Sequence, residues 1–230
     1  METYLKVLDP DDSSAGGGSA SAIAGAMAGA LLALVARFSR PSLRKKAFSA
    51  PADLAEGLSV GSAGASPDAL DDAACEGIAL RAIALSQRLH AGAREDTEAF
   101  QAVRDSYRLP RASEAEKAKR QLEVQAAWVL ATRKPLENAE ACLALLELGR
   151  ELRLTVNPNV HSDYSSGIYL ARAGLLGCLD NVSINLPSLR DEGLAAAIAL
   201  RAAACRAGCE ALAALPGAQA GGSPGAQATP

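Results

Sequence analysis

The stretch SAGGGSASAIAGAMAGALLALVARF, residues 14–38, decides how this chain is read. A triple glycine runs without a break into an apolar segment, which suits either a linker into a membrane or a turn at the end of a buried helix. From Ala20 to Ala36 the segment falls at the short edge of the roughly 20 residues a membrane helix needs, and it is rich in Gly and Ala rather than Leu, Ile and Phe. Ser21, Gly25 and Gly29 recur at helical spacing and form one smooth stripe that lets another backbone come close. The expectation is a buried helix that starts just after Gly18 and ends near Phe38, ahead of Pro41.

The rest of the composition agrees with a helical interior. The chain has 230 residues, ample for one large domain with its own core. Apolar residues make up 49% and aromatics only 3%; Ala and Leu dominate, and both favour helix. A formal charge of -3 gives no global reason to bind nucleic acid or an anionic membrane. The five cysteines, Cys75, Cys142, Cys178, Cys205 and Cys209, are odd in number and include no C-x-x-C, a poor zinc or disulfide pattern. They read as small buried apolar side chains in a reducing, cytoplasmic setting. The opening METYLKVLDPDD lacks a basic segment followed by an apolar core and does not read as a signal peptide.

Helices are expected almost throughout, and no strand. A short one covers Glu2 to Leu8. Residues 49–66 read as loop, and Ser66-Pro67-Asp68 supplies an N-cap, an N1 proline and an early acid for a long helix, with a possible bend at Gly92. Ser113-Glu-Ala-Glu116 is a capping box, opening a helix that Pro135 is expected to kink or interrupt. The asparagine-flanked proline of TVNPN marks a loop, after which Ser162 is placed to cap a helix running to about Leu186. A final helix covers about Asp191 to Leu215. These elements predict an all-α, single multihelical domain over 1–215, built around a helix bundle, and a disordered low-complexity tail over 216–230.

Four groups could carry chemistry. Gly16, Gly17, Gly18 and Ser19 form a turn at a helix N-terminus, where unpaired N–H groups and the macrodipole hold a carboxylate, a phosphate or a polarised carbonyl. Asn157, Asn159, His161, Ser162 and Asp163 crowd around another helix start, exceeding what capping needs. Asn181 and Asn185 lie one turn apart on an otherwise apolar helix and call for buried partners or a ligand. Asp96 belongs to the acidic group Glu95-Asp96-Thr-Glu98-Ala-Phe100, which would otherwise read as a solvated helix face. Asp163 and Asn181 share a helix face yet stand about 27 Å apart along its axis. One helix therefore cannot bring both to one small substrate, unless the ligand is long or a two-fold partner adds its own copy. Gly167, Leu170, Gly174 and Gly177 between them would permit such close packing.

Taken together, these segments resemble one family: the cyclodeaminase domain of formiminotransferase-cyclodeaminase and the stand-alone bacterial methenyltetrahydrofolate cyclohydrolases similar to it. The resemblance rests on Gly16-Gly-Gly-Ser19 and its Ala/Gly helix, Asp96-Thr-Glu-Ala-Phe100, Tyr107-Arg-Leu-Pro110, SEAEKAKR, the N-P-N-x-x-S-D run from Asn157 to Asp163, and Asn181-Val-Ser-Ile-Asn185. It spans about residues 3 to 212 in the right order. Ala15 replaces the family's usual proline, the basic segment RPSLRKKAF is altered, and residues 50–67 look inserted.

The resemblance implies an all-helical homodimer acting on folate one-carbon units, with no metal and no redox cofactor. It also implies one or both of two reactions. One is hydrolysis of 5,10-methenyltetrahydrofolate to 10-formyltetrahydrofolate; the other is cyclisation of 5-formiminotetrahydrofolate with loss of ammonia. Asp163 then takes an electrostatic or acid/base role, with Asp96 a second acid/base candidate. Asn157, Asn159, Ser162, Asn181 and Asn185 would orient the substrate. The glycine turn and Ser19 would bind part of the folate, and Arg44, Lys45 and Lys46 its glutamate tail. The contrasting reading is a non-catalytic helical folate-binding or interaction protein of the same fold.

Overall fold

The computed structural model describes residues 2–12, 14–43 and 69–215. The expected loop at 49–66, the start signal at 66–68, the cluster Arg44, Lys45 and Lys46, and the tail at 216–230 lie outside them.

The order is α1 (Glu2–Leu8), α2 (Gly17–Phe38), α3 (Asp72–Ser106), α4 (Glu114–Leu152), α5 (His161–Asn185) and α6 (Glu192–Ala211), with single 3-10 turns at Pro158–Val160 and Leu186–Ser188. No strand occurs among the described residues. Helices α2, α3, α4 and α5 form an up-down-up-down bundle in which α2 packs against α3 and α5, and α4 packs against the same two. The register can be read from facing residues. Gly18 meets Asp96, Gly25 meets Leu89 and Gly29 meets Ser86, so α2 and α3 are antiparallel. Gly174 of α5 comes so close to α2 that an added Cβ would stand 2.7 Å from the Ser21 carbonyl.

That contact corrects one expectation. Gly167, Gly174 and Gly177 accept α2 of the same chain, against Leu32 and Ser21. Their face is therefore occupied and offers nothing to a second copy. The stripe of α2 is used in the same way, because small residues on both helices let apolar neighbours interdigitate without voids. Helix α2 is long and apolar enough to cross a membrane by composition, yet Gly25, Ala28, Leu32, Val35 and Ala36 are buried against the bundle. Leu89, Leu145, Leu146, Ile168 and Leu175 complete the core, each fully buried Leu or Ile adding about 1.5–3 kcal/mol. All five cysteines are free and buried, and burial alone pushes the Cys142 thiol up to about 12.

Local start signals explain most boundaries. Ser113 Oγ accepts from the Glu116 N–H while Glu116 Oε2 accepts from the Ser113 N–H, closing the expected capping box. Helix α3 starts later than Pro67: residues 69–71 are non-helical and the Asp71 carboxylate accepts from the Ala74 N–H at 2.7 Å. It then runs unbroken through Gly92. Ser162 is not a cap; α5 begins at His161, and Asn157 caps the preceding 3-10 turn by accepting from the Asn159 N–H. Helix α6 ends at Ala211, its Asp191 N-cap accepting from the Leu194 N–H.

Pro135 sits buried inside an uninterrupted α4. The proline removes the donor that would pair with the carbonyl four residues earlier, that of Ala131. Asn185 of α5 supplies the missing donor, its Nδ2 lying 2.8 Å from the Ala131 oxygen. A tertiary hydrogen bond thus replaces a helical one, and the helix continues.

Candidate active site

The antiparallel register gathers one end of three bundle helices. A cleft of about 180 Å³ opens there, lined by Gly16, Gly17 and Gly18 of the α2 start, Asp96 and Phe100 of α3, and Asn181 and Asn185 of α5, with Ser14, Thr97, Ala131 and Ile184 at its edges.

Gly16 occupies the N-cap position of α2 in extended conformation, and no side chain caps the helix. The Ala20 N–H returns to the Gly16 carbonyl. The N–H groups of Gly17 and Gly18 have no partner among the described residues, leaving two donors and the positive end of the macrodipole at the cleft. Gly18 leaves room for its neighbour: a Cβ there would stand 2.6 Å from Asp96 Oδ2 and would displace the carboxylate.

Asp96 is half-buried, and Ser19, fully buried, donates its hydroxyl to Asp96 Oδ2 at 2.9 Å. The Ser19 N–H is a second donor to the same carboxyl. Burial pushes the Asp96 carboxyl above its ordinary range, and the two Ser19 donors restrain that rise without cancelling it. Ser19 Oγ is also 2.9 Å from Thr97 Oγ1, which lies 3.2 Å from the Ala93 carbonyl. With Asp96 ionised, Ser19 gives its only hydrogen to the carboxylate and Thr97 must choose between Ser19 and Ala93. A proton on Asp96 would complete the chain, so the neutral form is well accommodated. The adjacent Glu95 points the other way, into a cluster with Lys134 at 3.0 Å and Arg88 at 3.3 Å. Lys134 holds the Glu95 carboxyl below its usual range, so two neighbouring acids take opposite shifts.

Asn181 donates Nδ2 to the Gly177 carbonyl at 2.8 Å, and Asn185 spends its Nδ2 on Ala131. Both amides are thereby fixed, and their carbonyl oxygens remain as acceptors. Phe100 and Ile184 are exposed apolar walls. The cleft therefore offers two backbone donors, two amide acceptors, one acid/base carboxyl and a ring-sized apolar surface. Among the described residues, no three His, Cys, Asp or Glu side chains come together as metal ligands.

The second predicted group lies elsewhere. Asn157 donates Nδ2 to the Phe38 carbonyl at 3.0 Å, and its N–H donates to Ser39 Oγ at 2.9 Å, so it ties down the opposite end of α2. Asp163, half-buried, and the exposed Asn159 and Ser162 sit at that same end, about 27 Å from Asn181 along α5. The structure thus brings together the glycines, Ser19, Asp96, Asn181 and Asn185, and keeps Asn157, Asn159, Ser162 and Asp163 apart from them in one chain. Thr97, Phe100 and Ile184 also line the cleft, and the sequence motifs alone assign them no role. Phe100 one turn beyond Asp96 and Ile184 nearly one turn beyond Asn181 carry a helical-face signal that could have found them.

Residues 1–204 match the family described as formiminotransferase-cyclodeaminase. A methenyltetrahydrofolate cyclohydrolase of Methylorubrum extorquens is 31% identical over 195 residues, covering 85% of this chain and 83% of that one. The crystal structure of formiminotetrahydrofolate cyclodeaminase from Thermotoga maritima shares the fold, with a TM-score of 0.69 and 23% identity over 91% of this chain and 89% of that chain. The matched segment runs from α1 into α6 and contains every element that lines the cleft, and on that ground the protein belongs to the formiminotransferase-cyclodeaminase family.

Proposed function

We propose that this chain is a folate one-carbon enzyme that hydrolyses 5,10-methenyltetrahydrofolate to 10-formyltetrahydrofolate. The observation that carries the reading is the half-buried Asp96 carboxyl, held by Ser19 beside an uncapped helix N-terminus. The named activity of the 31% identical relative supports it. In this reading water adds to the methenyl carbon between N5 and N10 and gives its proton to Asp96. The tetrahedral adduct then loses its C–N5 bond, Asp96 returns the proton to N5, and the second hydrogen of the water is released as the formyl group forms. A raised carboxyl pKa suits a group that must both take and give a proton near neutrality. The N–H groups of Gly17 and Gly18 steady the developing oxygen charge, while Asn181 and Asn185 accept from the amino and N–H groups of the pterin.

The formyl carbon keeps its oxidation level throughout, so acid/base groups suffice and neither metal nor redox cofactor is invoked. Cyclisation of 5-formiminotetrahydrofolate passes through a related tetrahedral carbon, and the family's description keeps it as the second reading. The chain works as a homodimer in the cytosol. The outward face of α2, with Met27, Leu34 and Phe38 exposed, supports the first part, and five free thiols the second. Asp163, Asn159 and Ser162 reach a ligand at Asp96 only from the second copy.

The test is spectrophotometric: accelerated loss of the methenyl near-ultraviolet band establishes the hydrolase, and its accelerated appearance from the formimino substrate the deaminase. Folded protein silent in both assays returns the reading to a non-catalytic helical protein.

A further inference from the structure

A second cleft, of about 460 Å³, opens between the end of α3, the first half of α4 and the turn after α5. Its walls carry Tyr107, Arg111, Lys117, Arg120, Trp128 and Arg190, and no carboxylate lines it. In a chain of net charge -3 this gathers positive charge in one concave place, where the walls focus its field. None of these residues lines the Asp96 cleft.

Two of the four cations are already engaged. Lys117 pairs with Glu114 at 2.7 Å, and Arg120 donates to the Tyr107 carbonyl at 3.1 Å while its guanidinium lies 5.3 Å from the Tyr107 ring centre. Arg111 and Arg190 have no acidic partner among the described residues. Both stand on tethered backbone. Ala112, next to Arg111, donates its N–H to Glu116 Oε2 at 2.8 Å. Gln125 pins the turn that carries Arg190: its Nε2 donates to the Ser188 carbonyl at 3.1 Å, and its Oε1 accepts from the Arg190 N–H at 2.9 Å. Two open guanidinium forks on different walls suit a phosphate chain, whose many oxygens both can share, better than a single carboxylate.

The same cleft holds a surface for a flat ring. Trp128 packs against the cluster of Ala99, Val103, Ala127 and Ala131, and its Nε1 donates to the Tyr107 hydroxyl at 3.2 Å, so the indole is fixed before any ligand arrives. Gln121 lines the cleft two turns earlier on the same face of α4, about 10 Å away, and its amide has no partner among the described residues. A free carboxamide sets one donor beside one acceptor. That pair matches the N6 amino group and N7 of adenine, whereas guanine presents two acceptors, O6 and N7, along the same edge.

We propose that this cleft binds an adenine nucleotide, with the purine stacked on Trp128, its N6–N7 edge on Gln121, and its phosphates on Arg111 and Arg190. The lining holds no histidine, cysteine or carboxylate, so the cleft binds the nucleotide without acting on it. The assignment stands apart from the folate reading, and its test contains no folate.

The experiment titrates the full chain with ATP, GTP, adenosine and inorganic tripolyphosphate, by calorimetry at low and high NaCl. Emission of the protein's one tryptophan, Trp128, reports the place. ATP is expected to quench that emission and to bind about tenfold more tightly than each of the other three, with an affinity that falls as salt rises. Arg111→Gln with Arg190→Gln should weaken ATP by about tenfold or more, while Lys119→Gln, which changes a cation outside the cleft, leaves it unaltered. Gln121→Leu should abolish the preference for ATP over GTP and keep the quench. Tripolyphosphate binding as tightly as ATP would reduce the cleft to a plain basic patch and overturn the assignment. So would equal affinities for ATP and GTP in the wild-type chain, or ATP binding without a change in emission. ATP binding that survives the double arginine change would place the phosphates elsewhere, as at the Gly17–Gly18 turn, and would overturn it too.

Discussion

Asn185 stands in for the hydrogen that Pro135 lacks: its Nδ2 lies 2.8 Å from the Ala131 carbonyl, the acceptor left open inside α4. One residue therefore does two things, repairing a helix and presenting its remaining oxygen to the Asp96 cleft.

The pair predicts a measurable coupling. Asn185→Ala strands the Ala131 carbonyl and should cost about 1–3 kcal/mol in urea unfolding. In a Pro135→Ala background the alanine N–H takes over the acceptor, so the same change should cost much less. Strictly additive losses would show that the two residues are independent.

Asp96 is a case of function opposing stability. Its carboxyl is raised by burial, so the folded state holds the proton more tightly than the unfolded chain does. Stability linked to this group is fully present below the ordinary carboxylate pKa and is lost as pH rises through the raised one. Asp96→Asn, which keeps an acceptor for Ser19, should have a higher Tm than wild type at pH 7, with the gap closing near pH 3, while turnover disappears. A lower Tm at pH 7 would contradict the burial argument. Ser19→Ala removes a donor that favours the ionised form, so the acid limb of kcat/KM should move to higher pH.

Gly18→Ala tests the geometry beside Asp96. The new methyl would meet the carboxylate at 2.6 Å, and the carboxylate is the movable end of a side chain. The protein should fold with a loss of about 1 kcal/mol or less. Turnover should fall by about tenfold to a hundredfold, because displacing a catalytic group by 1 Å is enough to do so. Activity equal to wild type would remove Asp96 from the reaction.

A composite site makes a prediction about mixing. If Asp163 of one copy serves Asp96 of the other, Asp96→Asn and Asp163→Asn proteins are each inactive alone. Unfolded and refolded together they should regain about a quarter of wild-type activity, from the one intact site of each mixed dimer. A fully active Asp163→Asn protein would instead confine the reaction to the Asp96 cleft.

By itself the sequence determined the helical class, most helix ends and the local chemistry of the glycine turn. Those follow from short-range physics: the Ser113-Glu116 box, the prolines, and the small stripe of α2 act within a few residues. Tertiary structure alone decided which chemistry-bearing groups meet. Asp96 and Ser19 are separated by most of two helices and a connection, and only the antiparallel register of α2 and α3 sets them 2.9 Å apart. The N-P-N run is as rich in polar groups as any site, yet Asn157 spends both its N–H donors on the end of α2 and its side-chain oxygen on the Asn159 N–H. Pro135 looked like a break, and a donor from α5 made it a continuous helix. In each case the deciding partner lies far away in the chain, and a hydrogen bond between distant residues leaves no periodicity for the sequence to display.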